Sequence, residues 1–431
     1  MGIAFNLYTY YQYRIENLMP SRIRKLTILL SLDIQEALRY LTEHSDHMTS
    51  YYLYQRLYGG VLGISNPVDI IQQIWVWMFI LAYAIITVFV WHKYHSKFLT
   101  LCAPLIFYLL TKAVIVVYHD DCTWFLAWAV YAILPLLAIF YNQGRGLLQY
   151  ERYVLFLFIT LLITMLIGIS NIGRLHSGLA ISCVLLYIVF WFCKKMHNKK
   201  KAILIGLMSL FIVFQGYSLF TATIPNSMMR LYGINSNINY FGPWHTLYIG
   251  LGWRNSLPKL SMLAECNDKE AWKTDKNPAK IIYLDECADG FVKSRDSSIE
   301  YISKPYFEVL KTEYIRILKE NTQWVFINYA EKILVCLLNV FYTQCKSLLI
   351  VSVFAFILKK KNMLKLSSRF IYVSAVFTMM IDLIFGLIAM PTAGYLQGSM
   401  AALSLIIFVL AMDILDSLLH RRHDIFRRES L

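Results

Sequence analysis

Eight stretches of mostly apolar residues, each long enough to cross a hydrocarbon layer as a helix, recur along this chain of 431 residues. They occupy 70–91, 98–118, 122–142, 153–171, 177–193, 201–220, 367–390 and 395–419. A helix rises about 1.5 Å per residue, so about 20 apolar residues span a bilayer core. In lipid every backbone N–H and C=O must be satisfied inside the protein, and for runs of this length only the helix does that. A ninth run, 333–358, is too long for one straight span and is interrupted by Thr343-Gln344-Cys345-Lys346. It reads as an interfacial helix over 326–343 followed by a span over 346–359. The expected fold is an all-α polytopic membrane protein with nine or ten transmembrane helices. Six of them lie in 70–220 and three in 346–419.

Only 16% of residues are charged, against roughly 25% in a soluble domain. That excludes most soluble enzymes, disordered chains and nucleic-acid modules. Lys and Arg exceed Asp and Glu by 41 − 27 = 14, but the surplus sits between apolar spans, so it speaks for orientation and not for nucleic acid. The linker 194–201 holds five lysines, a second linker holds Lys359, Lys360, Lys361, Lys365 and Arg369, and the tail 420–431 holds four arginines. Positive loops stay cytoplasmic, which makes 420–431 a basic cytoplasmic tail. The segment 221–331 then lies outside, with 13 basic and 13 acidic residues. Together with the interfacial helix it forms one structured outer-face loop domain over 221–345.

Propagating backwards places the amphipathic segment 1–69 outside as well. Export of this segment would call for a signal peptide or a preceding apolar span, and neither is visible in 1–69. Either a further span lies upstream, or 1–69 stays cytoplasmic and one span is miscounted. Cys266 and Cys287 share the large outer loop, where a disulfide and two free thiols are equally open readings.

Residues able to carry chemistry fall on the outer side. Trp244-His245 and Tyr248 stand among glycines 242, 250 and 252, where an imidazole can act as base or, protonated, clamp an anion. The alternative is a histidine that only caps a buried loop. Asp285-Glu286, with Asp289, can hold a divalent cation or a sugar hydroxyl, or simply form a solvated turn. The short turn before the third span carries Asp120-Asp121, an adjacent acid pair in which one carboxyl can keep a raised pKa. Arg174 and His176, in another outer turn, suit phosphate. Beyond Ser303, an N-cap candidate followed by Pro305, the stripe Tyr306, Leu310, Tyr314 and Ile317 or Leu318 reads as packing. Trp324, Phe326, Tyr329 and Lys332 form an aromatic and basic edge at headgroup level. Within the spans, Asp382 cannot snorkel and should face the bundle interior or an aqueous cavity, Lys112 can snorkel, and Asp413 lies nearer the inner end. No nucleotide-binding motif is present, and the confident cytoplasmic loops are too short for a nucleotide domain. The one cofactor these residues could hold is a divalent cation, with ligands the sequence does not specify.

The run Gly242-Pro243-Trp244-His245-Thr246-Leu247-Tyr248-Ile249-Gly250-Leu251-Gly252 resembles a Trp-His-x-x-Tyr-x-Gly-x-Gly segment of uncharacterised bacterial polytopic proteins. Their acidic turn corresponds to Asp285-Glu286, their Tyr-x-Ser-x-x-Tyr helix to 301–306 and their Asn-Tyr-x-x-Lys to 328–332. Those proteins are similar in layout to C-type glycosyltransferases of the bacterial inner membrane, which use polyprenyl-phosphate-linked sugar donors at the outer face. The resemblance implies an integral-membrane glycosyltransferase acting in cell-envelope polysaccharide biosynthesis. Asp120 or Asp121 would activate the glycan acceptor, and His245, Arg174 and Lys332 would bind donor phosphate. His176, Trp244, Tyr248, Asp285, Glu286 and Asp382 would contact substrate. C-type enzymes carry their acid pair in a long first outer loop. Here the pair lies in a three-residue turn, and candidates within 1–69 such as Glu16, Asp33, Glu36 and Glu43 are unpaired. The chain is also similar in size and layout to O-antigen polymerases. A third alternative is a lipid-linked-glycan or solute transporter with Asp382 and Lys112 along its path.

Overall fold

The computed structural model describes residues 29–43, 49–64, 67–116, 121–173, 176–234, 243–252, 288–301, 303–360, 364, 369–388 and 393–429. Among these the regular structure is all helix: α1 Ile34–Glu43, α2 Thr49–Leu62, α3 Pro67–Tyr94, α4 Lys97–Val116, α5 Asp121–Trp128 and α6 Leu134–Gln149. Then come α7 Tyr153–Gly173, α8 Leu179–Lys195, α9 Lys199–Ser218, α10 Ile224–Leu231 and α11 Trp244–Leu251. A short helix α12 over 288–295 precedes α13 Lys304–Glu320, α14 Thr322–Lys360, α15 Arg369–Ile388 and α16 Ala393–Glu429.

Among the described residues, seven helices are long and apolar enough to cross a membrane: Val76–Tyr94, Phe125–Gln149, Tyr153–Gly173, Lys199–Leu231, Thr322–Lys360, Arg369–Ile388 and Leu396–Leu419. The two other spans expected before residue 220 are helices too, but shorter: an apolar Lys97–Thr111 within α4 and the 17 residues of α8. Leu101, Phe190, Phe211, Phe214, Leu349 and Phe356 all point outward and are exposed. A shell of that kind is at rest in acyl chains and not in water.

One expectation is corrected. The break between an interfacial helix and a span at 343–346 is absent, and α14 runs unbroken for 39 residues. Its polar residues are absorbed without distorting the helix. The Thr343 hydroxyl donates to the Asn339 carbonyl at 2.8 Å, and the Gln344 amide donates to the Leu110 carbonyl of α4 at 3.2 Å. At about 1.5 Å per residue α14 is about 58 Å long, roughly twice the hydrocarbon thickness, so one end stands clear of the membrane.

Two spans share a local distortion. α5 passes into α6 through a π-helical turn, Ala129–Ile133, and α9 into α10 through another, Leu219–Thr223. Each turn ends just before a proline, Pro135 or Pro225. A proline has no N–H and its ring collides with the carbonyl four residues back, so the preceding turn widens to keep its remaining bonds. Between α7 and α9 the backbones touch: a Cβ at Gly168 would come within 2.7 Å of the Gly216 carbonyl oxygen. Small residues at such a crossing let lipid-embedded helices approach closely.

The connections define two ends of the bundle. One carries the turn 176–178 and the last turns of α15, and the other carries the lysine linker between α8 and α9 and the first turn of α15. The N-terminal helices sit at the His176 end. There Tyr51 meets Phe125 edge-on at 5.6 Å, Tyr54 meets Phe220 at 6.2 Å, and α2 packs against α10. Around α1, Leu29, Leu30, Ala37 and Leu38 are buried and Asp33, Glu36 and Arg39 are exposed.

A separate apolar core lies at the same end. Tyr248, Ile249, Leu251, Ala288, Phe291 and Val292 pack there against Tyr306, Phe307, Leu310, Ile317 and Val325. This core covers α11, α12, α13 and the start of α14. Ser303 caps α13 as its sequence suggests, accepting from the Tyr306 N–H at 3.3 Å, with Pro305 in the first turn. The stripe Tyr306, Leu310 and Ile317 is buried packing, with Tyr314 beside it, whereas Leu318 faces out.

Candidate functional site

The last two turns of α15 are where separate parts of the chain converge. His176 lies flat on Phe385, ring centroids 3.9 Å apart. The Lys332 ammonium, brought by α14, donates to the Leu387 carbonyl at 3.0 Å. α11, which carries His245, packs against α15, and α16 crosses it so tightly that a Cβ at Gly398 would overlap the Asp382 carboxylate. Asp382 is 2% exposed, as its place in a span demanded.

This end of the molecule also holds buried polar side chains that no neighbour satisfies. Among the described residues, no hydrogen-bond partner reaches Asp382 Oδ1, the Asn171 Nδ2, the Ser177 hydroxyl, or either amide atom of Gln55, Asn328 and Gln397. All six residues are buried. A buried polar group left unpaired costs about 1–3 kcal/mol, and native proteins keep few of them without a purpose. Six such residues lie at this end of the described structure, where they are available to polar groups beyond those of the described residues. Asn171 is half engaged, its Oδ1 accepting from the Gly178 N–H at 2.7 Å and so fixing the turn that presents His176.

His245 stands in the first turn of α11, not in a glycine loop, because Trp244–Leu251 is helical. Its Nδ1 is 2.9 Å from the Tyr306 hydroxyl, and the Tyr301 ring meets it edge-on at 5.9 Å. The half-buried ring is oriented by Tyr306, itself fully buried. Trp244 packs near Tyr314 and beneath the Lys311 ammonium, 5.7 Å from its ring centroid. Two expectations change here. Tyr248 is a core residue, 0% exposed and stacked on Phe291 at 5.7 Å, so its ring serves packing and not substrate contact. Lys332 does not form a basic edge at headgroup level, because it is 0% exposed with its ammonium on a main-chain carbonyl.

In the helical subdomain of α11–α13, Asp296 accepts from both the N–H and the hydroxyl of Ser298, which holds its carboxyl below the usual range. Arg316 clasps Glu313, 2.6 Å away, and also pairs with Glu320, and these contacts raise its pKa further. Both features tie the helical subdomain together. Neither faces α15.

Asp120, Arg174, Asp285, Glu286, Cys266 and Cys287 lie outside the described residues, and Asp121 is described only as the first residue of α5. The Lys112 side chain is likewise outside them. Among the described residues no cluster of three or more His, Cys, Asp and Glu side chains is placed to hold a metal ion.

One constellation escaped the sequence reading. At the opposite end of the bundle Asp413 receives the Lys93 ammonium at 3.0 Å, the Tyr94 hydroxyl at 2.8 Å and the Tyr372 hydroxyl at 2.8 Å. The Asp413 and Lys93 side chains are 0% and 5% exposed. The signal was a Lys-Tyr pair closing one span and an acid near the same end of another. Their partnership depends on the packing of α3, α15 and α16.

Fold and site together define an all-α, multi-pass membrane protein with a buried polar region at one end. Comparison with known proteins found no matching family, no matching curated protein and no matching solved structure.

Proposed function

We propose that this protein is an integral-membrane glycosyltransferase that takes a polyprenyl-phosphate-linked sugar donor at the outer face of the bacterial inner membrane, during assembly of an envelope glycan. In this reading the chain crosses the membrane nine or ten times, with α4 and α8 among the spans, and the helical subdomain of α11–α13 is the outer-face domain. The observation that carries it is the convergence on α15. A half-buried histidine set by a tyrosine hydroxyl belongs to a helix packed on α15, the element that also holds a buried lysine and a buried carboxylate. A substrate with a polar head at the membrane surface and a long apolar tail needs polar groups at that depth and position. His245, His176 and Arg174 would face the donor phosphate, and Asp120 or Asp121 the acceptor hydroxyl.

The test is sugar transfer by the reconstituted protein from polyprenyl-phosphate hexose to a lipid-linked oligosaccharide acceptor. His245→Ala and Asp121→Asn should each lower transfer by about a hundredfold or more, the usual worth of a general acid or base, with unchanged protein levels. Wild-type rates in both variants would sink the reading.

A second reading, a transporter, draws on two observations: Asp382 is a buried carboxylate with an unengaged oxygen, and two spans carry matched proline-linked π turns. Paired distortions in spans accompany substrate paths in many transporters. Counterflow of a labelled sugar phosphate in proteoliposomes, abolished by Asp382→Asn, would favour it over transfer chemistry.

A further inference from the structure

We infer that the groove between α6, α8 and α15, at the end of the bundle opposite His176, is a binding site for one anionic phospholipid. The groove has a volume of about 670 Å³, the range in which discrete ligands are held. Its mouth carries Arg369, Asn142 and the hydroxyl-bearing rings of Tyr141 and Tyr187, while Val184, Val373 and Phe377 line the way inward. Helix direction orders these residues by depth. Arg369 opens α15 and Phe377 lies eight residues further on, about 12 Å deeper. Asn142 and Tyr187 are nearer the same surface than Ala138 and Cys183 on their own helices.

The polar mouth is built. Tyr141 stacks on Phe370 at 4.3 Å and 9° and packs on Trp191 at 4.8 Å, which fixes the wall beside Arg369. Arg369 is exposed, and among the described residues no carboxylate lies within ion-pair distance of it. The guanidinium is therefore free for a phosphodiester, which it can grip with two parallel N–H bonds. Lys194, Lys195 and Lys199–Lys201 cluster at this end and are exposed, so an anionic headgroup is drawn to the mouth. Tyr187 at the mouth is 53% exposed and Val373, further in, 68% exposed, a surface that an acyl chain covers without cost. Cation at the surface and apolar channel beneath it match a phospholipid in its bilayer orientation.

Native mass spectrometry of the full chain, released from nanodiscs of phosphatidylglycerol and phosphatidylcholine in equal parts, tests this. Wild type should retain one phosphatidylglycerol in preference to phosphatidylcholine. Arg369→Ala should weaken that retention by about tenfold, the worth of one charge-assisted bond pair, and erase the preference. Val373→Trp should displace the lipid while leaving Arg369 in place, and Lys200→Ala, which removes one charge of the surrounding cluster outside the groove, should weaken retention far less than Arg369→Ala and keep the preference for phosphatidylglycerol. Equal loss from Lys200→Ala would mean that general surface charge holds the lipid, and undiminished retention in both Arg369→Ala and Val373→Trp would place it elsewhere. Retention of glycerol phosphate without a chain, as strong as that of the lipid, would overturn the groove as the acyl site.

Discussion

Asp382 and Asp413 show how differently one residue type can be used in a span. Asp413 is enclosed by an ammonium and two hydroxyls, so removing a single partner leaves a buried charge or a buried hole in a network. Truncating one member of a buried pair costs about 3–5 kcal/mol. Lys93→Met should therefore lower detergent-solubilised stability by roughly that amount, read from a thermal unfolding curve, and Lys93→Met/Asp413→Leu should recover much of it. Asp382 instead is held by shape. Its carboxylate occupies the space a side chain at position 398 would need. Gly398→Ala should destabilise by about 1–3 kcal/mol through overpacking, and the same change in an Asp382→Ala background should cost much less. Equal costs in both backgrounds would show that the carboxylate does not set the crossing.

At the level of elements, α14 is the clearest departure from what periodicity suggests. A polar quartet in an apolar run resembles a boundary, yet here Thr343 bonds within the helix and Gln344 bonds across to α4, so helix continuity is kept. Spin labels at Ala330 and Val353, 23 residues apart, should lie about 35 Å apart if the helix is unbroken. A distance well below that, from a bend at 343–346, would restore the interfacial arrangement. The α13 cap was legible from sequence, since Ser303 and Pro305 act locally. Ser303→Ala should cost about 1 kcal/mol of subdomain stability, seen as faster amide exchange in the first turn of α13. The π turns were half legible: both prolines are plain in the sequence, but how a span absorbs a proline depends on what packs beside it.

For the molecule as a whole, the contacts of Tyr51, Tyr54 and α10 put the N-terminal helices at the same end as α11–α13. In a variant without native cysteines, an impermeant maleimide should label cysteines at 57 and 319 from one side and a cysteine at 200 only from the other. Labelling of 57 and 200 from the same side would contradict the arrangement of ends described above.

Much of this was decided within short stretches of chain. Apolar length marks spans because the bilayer sets a minimum helix length and forbids unpaired backbone. Lysine clusters, the Ser303 cap and the amphipathic pattern of 29–39 likewise depend on residues close in sequence. Partnerships between separate helices were not readable: Lys93 with Asp413, Lys332 with Leu387, His176 with Phe385, Gly398 with Asp382. Each is set by which helix faces meet, and in a chain whose spans are apolar on nearly every side no single helix announces its inward face. The tertiary packing alone chose those faces, and with them it turned Lys332 and Tyr248 inward and brought Asp382, Asn328 and Gln397 into the packed interior.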